Sequence, residues 1–154
     1  MEDRIAKAVE LFKSGYNCAQ SVVTAFGDLY ELPVEMGLRM SAPFGGGIGR
    51  MRETCGAVCG MFILAGLERG PVVAGDSSGK NETYRLVREL ATEFRLKNGS
   101  ICCGELLGIK KGDEGSHVSE ARTAAYYAKR PCVKMVEDAA TLFADYLMTK
   151  ECNS

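Results

Sequence analysis

The stretch that most limits how this chain can fold is Phe44-Gly45-Gly46-Gly47-Ile48-Gly49-Arg50-Met51-Arg52-Glu53-Thr54-Cys55-Gly56-Ala57-Val58-Cys59-Gly60. Four glycines within five residues let the backbone take positive φ and pass close to a ligand, a neighbouring helix or its own turn. An apolar helix then begins at the cysteines. Thr54 suits its N-cap and Glu53 adds negative charge beside it. Cys55 falls in the first turn, with Cys59 one turn later on the same face. Two thiols beside a glycine-rich bend mark a candidate site.

The rest of the chain reads in helical periods. Ile5, Ala8, Val9 and Phe12 define a first helix over residues 3 to 13, stopped by Ser14-Gly15. Asn17 with Gln20 three residues on forms a capping box for a second, whose stripe is Ala19, Val22, Val23, Phe26 and Tyr30. Pro33 opens a short helix at Val34 to Met40. The helix from Cys55 continues through Met61, Phe62, Leu64, Ala65 and Leu67, and its small residues suit a central position. Residues 70 to 80 read as a surface loop, followed by a long helix from about Asn81 to Lys97. Ser100 can cap a short helix holding Cys102 and Cys103 and ending at Gly108. A polar loop over 109 to 117 leads to a helix starting at Ser116 or Ser119 and running through Tyr127. Pro131 then opens the last helix, with Cys132, Val133, Val136, Ala140, Phe143 and Leu147 at helical intervals. No strand alternation is visible, so the expected fold is all-α: one compact domain over residues 1–154, a bundle of about six to seven helices.

At 154 residues such a domain buries a core without disulfide staples. A net charge of -1 and a pI near 5.9 supply no basic field, so nucleic acid is not an expected partner. There is neither an export h-region nor an apolar run of membrane-spanning length, so the expected location is the cytoplasm, away from membranes. Cytosolic thiols are kept reduced, which turns the seven cysteines toward metal binding or redox chemistry. With His117 the single histidine, any site of four protein ligands would be mostly thiolate.

Cys18, Cys55, Cys103 and Cys132 each fall in the first turn of a predicted helix. Free N–H groups and the positive end of the helix dipole stabilise a thiolate there, making it a better nucleophile or ligand. If these starts meet, Cys18, Cys55, Cys103 and Cys132, with Cys59 in reserve, could bind an iron–sulfur cluster or zinc, or cycle as dithiol pairs; otherwise no cofactor is expected. The spacing is neither a ferredoxin run nor a paired CxxC. The competing reading is that cysteines are small buried hydrophobes, which suits Cys59 and Cys102, while Cys152 lies in a polar tail. Gly45, Gly46, Gly47, Gly49 and Arg50 are the candidate cofactor- or anion-binding residues, although the loop lacks the Lys and Ser/Thr of a P-loop. Arg50 and Arg52 read otherwise as surface charges, and His117 as a solvated loop histidine.

Four pieces of the chain resemble the family of putative redox-active proteins named for the cysteine pattern C-GCAxxG-C-C. They are Gly15 to Gln20, Phe44 to Gly60, Cys103 to Gly108, and Cys132 with Val136 to Ala140. The resemblance implies a small, mostly helical protein with redox or metal-linked cysteines and no assigned substrate. Here Cys55 to Gly60 reads C-G-A-x-x-G, which moves the sulfur back one residue relative to the name and leaves Cys59 as the alternative. The expected function is a redox-active thiol protein using Cys18, Cys55, Cys103 and Cys132, partnered by another redox protein. The alternatives are a small-anion-binding module or a structural subunit of a redox complex, with the apolar helix available as a homodimer face. The sequence leaves open whether it is an enzyme.

Overall fold

The computed structural model describes all residues, 1–154. Eight α-helices make up the fold: α1 Glu2–Lys13, α2 Cys18–Phe26, α3 Val34–Ser41, α4 Gly56–Arg69, α5 Ser77–Asn98, α6 Cys103–Leu107, α7 Ala124–Lys129 and α8 Cys132–Cys152. Short 3-10 turns follow α2 at Gly27–Tyr30 and α3 at Ala42–Phe44. The only strand-like pairing is an isolated antiparallel bridge between Thr54 and Cys102. The fold is all-α, and its eight helices correspond to the eight segments read along the chain, above the overall expectation of six to seven.

α4 runs through the middle. From Gly56 to Met61 every residue is buried, and α2 lies against this face so closely that glycine is required. A Cβ on Gly60 would stand 3.0 Å from the Ala19 carbonyl oxygen, and one on Gly56 would stand 2.8 Å from that of Phe44. The core is completed by Phe12 of α1, Phe94 of α5 and Phe143 of α8, with Phe26 and Phe143 edge to face at 5.2 Å. Burying four phenylalanines supplies on the order of 2 kcal/mol each. α2 starts as expected: the Asn17 side chain accepts from Gln20 N, and the Gln20 side chain accepts from Asn17 N.

Several boundaries differ from expectation: Cys102, not Ser100, is the N-cap of α6, the Ser100 hydroxyl accepting from Cys102 N instead, and α2 ends at Phe26, leaving Tyr30 in the 3-10 turn that follows. α5 begins at Ser77 rather than Asn81, because Asp76 caps it through Gly79 N at 2.8 Å and shortens the predicted loop. Neither Ser116 nor Ser119 starts a helix. Residues 109–123 stay irregular until Thr123 caps α7, since their backbone carbonyls and carboxylates are engaged by arginines from elsewhere. α4 begins one residue late: Cys55, not Thr54, is its N-cap, because Cys55 N is already used by the Ile101 carbonyl at 2.7 Å beside the Thr54 to Cys102 bridge.

Candidate thiol site

The glycine run folds into an unusual turn. Gly46, Gly47, Ile48, Gly49 and Arg50 have φ of 65°, 70°, 64°, 59° and 63°, a left-handed helical turn, and Arg52 follows at 61°. For L-residues this conformation costs about 1–2 kcal/mol each. Hydrogen bonds from Gly49 N to Pro43 O, Arg50 N to Gly45 O and Glu53 N to Gly47 O hold it closed. At Gly47 both reasons for glycine coincide: φ is positive, and a Cβ would lie 2.5 Å from Cys103 Cβ and 2.8 Å from Arg52 Cα. The turn thus brings Arg50 and Arg52 to the starts of α2, α6 and α8.

Those starts surround one cavity of about 350 Å³. Cys18, Cys55, Cys103 and Cys132 all line it, as do Gly45, Gly46, Gly47, Gly49 and Arg50. The glycines contribute backbone, and the space before three of them is taken by protein, Asn17 at Gly45, Arg50 at Gly46 and Cys103 at Gly47. Cys59 does not line the cavity. Its thiol faces the Thr54 carbonyl at 3.7 Å, and it parts from Cys55 because Cys55 is the extended N-cap, with ψ 133°, and so lies off the helical face that carries Cys59. Cys102 likewise points its sulfur at the Arg52 carbonyl, at 3.3 Å, and Cys152 is exposed near the C-terminus. All seven thiols are free.

The helix starts do not give the four thiols a common acidity. Cys18 is pushed well above the usual thiol range, first by Cys132 alongside it and then by burial. No aligned hydrogen bond joins the two sulfurs, so their coupling is one of proximity. Burial drives Cys55 up to about 12 against the favourable N–H groups of Val58 and Ala57, and it also raises Cys103 against the pull of Arg52. Burial alone dominates at Cys59, raised to about 11. Cys132 is the exception, lowered to about 7 by its interaction with Cys18 and by Arg130, Arg122 and Arg52, which together overcome desolvation. Of the four, Cys132 is the thiol whose surroundings tilt it toward the anion.

Arginine surrounds that thiolate. Arg52, far from being a surface charge, is 6% exposed, and its Nη1 lies 3.7 Å from Cys103 Sγ. Arg122 stacks on Phe12 and Tyr126 at 4.3 and 4.9 Å and donates to the carbonyls of Phe12 and Tyr16. Arg130 ion-pairs with Glu120, which also meets Arg50 at 3.5 Å. Arg50 further holds the 109–123 segment through the carbonyls of Ser116 and Val118, so it too is engaged rather than free at the surface. His117 lies on the cavity wall instead of in a detached loop. Sequence reading missed Arg122, Arg130 and Tyr126. The signal was the basic pair around Tyr126, with Arg130 two residues before Cys132, close enough to bias a thiol at the next helix start.

No three cysteine, histidine, aspartate or glutamate side chains are grouped so as to hold a metal ion. Four thiols line the cavity, and thiolate is a donor for zinc and for iron–sulfur clusters alike. No helix is long and apolar enough to cross a membrane.

The sequence model of the family described as "Putative redox-active protein (C_GCAxxG_C_C)" matches residues 16–146. The chain belongs to that family. The match takes in all four cavity cysteines, the left-handed turn and the three arginines nearest Cys132. No curated protein and no solved structure matches the chain.

Proposed function

We propose that the protein is a thiol-exchange redox protein in which Cys132 is the attacking sulfur and Cys18 the resolving one. The observation that carries this reading is the meeting of the α2 and α8 starts in one cavity, where Cys132 sits beside Cys18 under Arg122, Arg130 and Arg52. The Cys132 thiolate attacks a disulfide substrate, forms a mixed disulfide and expels the other half as a thiolate. Loss of the Cys132 charge removes the main influence holding Cys18 protonated. Cys18 then gives its proton to the departing thiolate, attacks Cys132, and closes a Cys18–Cys132 disulfide while releasing the second thiol. Two electrons have passed to the substrate, and a dithiol reductant restores them. Cys55 and Cys103, buried and raised, stay protonated through neutral pH as the back wall.

The sign of the pH dependence follows from Cys132. The reactive form is the anion, so with a pKa near 7 the alkylation rate reaches its plateau above neutrality. Below it the rate falls about tenfold per pH unit. The test is iodoacetamide labelling with peptide mapping across pH, followed by disulfide mapping after mild oxidation. A Cys132 rate profile centred near pH 7 and a Cys18–Cys132 linkage are expected. Labelling of Cys132 only as fast as that of exposed Cys152, or a linkage between other cysteines, overturns the assignment.

A second reading draws on the four thiols around one cavity: Cys18, Cys55, Cys103 and Cys132 as ligands of an iron–sulfur cluster used in electron transfer. Iron and sulfide in stoichiometric amounts in anaerobically purified protein, with charge-transfer absorbance, would replace thiol exchange with this reading.

A further inference from the structure

The charges around the cavity do not balance. Four guanidiniums, those of Arg50, Arg52, Arg122 and Arg130, face a single lining carboxylate, Glu120. Glu120 is already shared by Arg130 and Arg50. Arg52 and Arg122 have no carboxylate partner: Arg52 meets the Glu114 carbonyl and Cys103 Sγ, and Arg122 meets two backbone carbonyls. Even with Cys132 ionised, the excess is positive. A guanidinium as buried as Arg52 is expensive unless a negative group meets it. The backbone is nevertheless strained into left-handed φ at Arg52 itself to place it there.

Resting on the thiol-exchange reading, we propose that this cavity selects small anionic substrates, compounds carrying a carboxylate or sulfonate close to the S–S bond that Cys132 attacks. Arg52 and Arg122 receive the anionic group while Tyr126, Leu106 and Met135 cover the apolar remainder. At about 350 Å³ the cavity fits a compact molecule rather than a folded partner. Cys132 breaks the S–S bond, and the anionic leaving thiolate departs with its charge as the Cys18–Cys132 disulfide closes. The same arginines that favour the thiolate thus recognise what it reacts with.

The test compares disulfides of graded charge: dithiodiglycolate with two carboxylates, bis(2-hydroxyethyl) disulfide with none, and cystamine with two ammonium groups. Tetrathionate serves as the sulfonate-type probe. Loss of the Cys132 thiol is followed by mass spectrometry at low and high salt. Dithiodiglycolate is expected to react about tenfold faster than the neutral compound and cystamine more slowly, with the spread shrinking as salt rises. Arg52→Gln and Arg122→Gln each alter the nucleophile for every probe, so the readout is the anionic-to-neutral rate ratio, expected to fall about threefold or more. Should Arg52→Gln fail to fold, Arg122→Gln supplies the ratio. The rates of tetrathionate and dithiodiglycolate, each divided by its rate with a free small thiol to remove the difference in leaving group, tell a sulfonate site from a carboxylate site. Binding of dithiodiglycolate to Cys132→Ser, measured by calorimetry, isolates recognition from chemistry. Arginine-dependent binding there, with wild-type Cys132 inert to all probes, would sink thiol exchange and leave the anion site standing. Rates within about twofold across the charge series would overturn the anion site and leave exchange intact.

Discussion

The two halves of the cavity begin from the same residue type at the same kind of position and reach opposite chemistry. At the start of α8, Cys132 is drawn to about 7. At the start of α4, Cys55 is pushed to about 12 although the Val58 and Ala57 N–H groups favour its thiolate. The difference is what else touches the sulfur. Cys132 is partly open and lies beneath Arg130 and Arg122, whereas Cys55 is sealed in the core and has no cation among its main influences. A helix terminus contributes at most about 1–2 kcal/mol to a thiolate, and complete burial withdraws more than that. The lesson is that helix starts bring sulfurs together, while arginine and solvent decide which one reacts.

That contrast can be broken most forcefully at Cys132. Cys132→Ser should lower fast alkylation of the native protein by at least about 100-fold, leaving the slower labelling of Cys152, whereas Cys55→Ser should leave the fast phase unchanged. Intact-protein mass spectrometry after brief labelling reads both. Next comes Gly47→Ala, where the added methyl meets Cys103 and Arg52 and adopts left-handed φ; a loss of about 3 kcal/mol in urea unfolding is expected. An unchanged unfolding midpoint would show that the turn is not a tight packing element. Arg130→Gln sharpens the comparison directly: it should raise the Cys132 pKa and slow its alkylation at pH 6 about threefold to tenfold, with Cys55 still unreactive. Smallest is Asn17→Ala, which removes the capping box beneath Cys18 and should lower stability by about 1 kcal/mol while leaving the Cys132 pH profile in place.

Much of this architecture was readable in the residues. The capping box at Asn17 and Gln20, the proline before Cys132 and the small apolar run after Cys55 each follow from local rules, and each element appears. The thiol positions were legible for the same reason: Cys18, Cys103 and Cys132 open their helices, and Cys55 caps one. Acidity was not legible, because desolvation depends on neighbours from distant parts of the chain. The burial of Arg52 was equally hidden, since a basic residue next to a glycine run looks the same whether it meets water or Cys103, 51 residues away. The separate fates of Cys55 and Cys59 turn on α4 starting one residue late, which leaves Cys55 off the helical face, and that start is set by the hydrogen bond from Cys55 N to the distant Ile101 carbonyl.

By itself the sequence determined that the fold is all-α, how α2 and α8 begin, where the chain must bend and which residues carry sulfur, because caps, glycines and apolar periods act within a few residues. Only the tertiary structure decided that four of the seven sulfurs share a cavity, that arginines crowd one of them and that the other three are buried in its wall. Those outcomes depend on groups far apart in the chain being brought within a few ångströms, where charge and desolvation act.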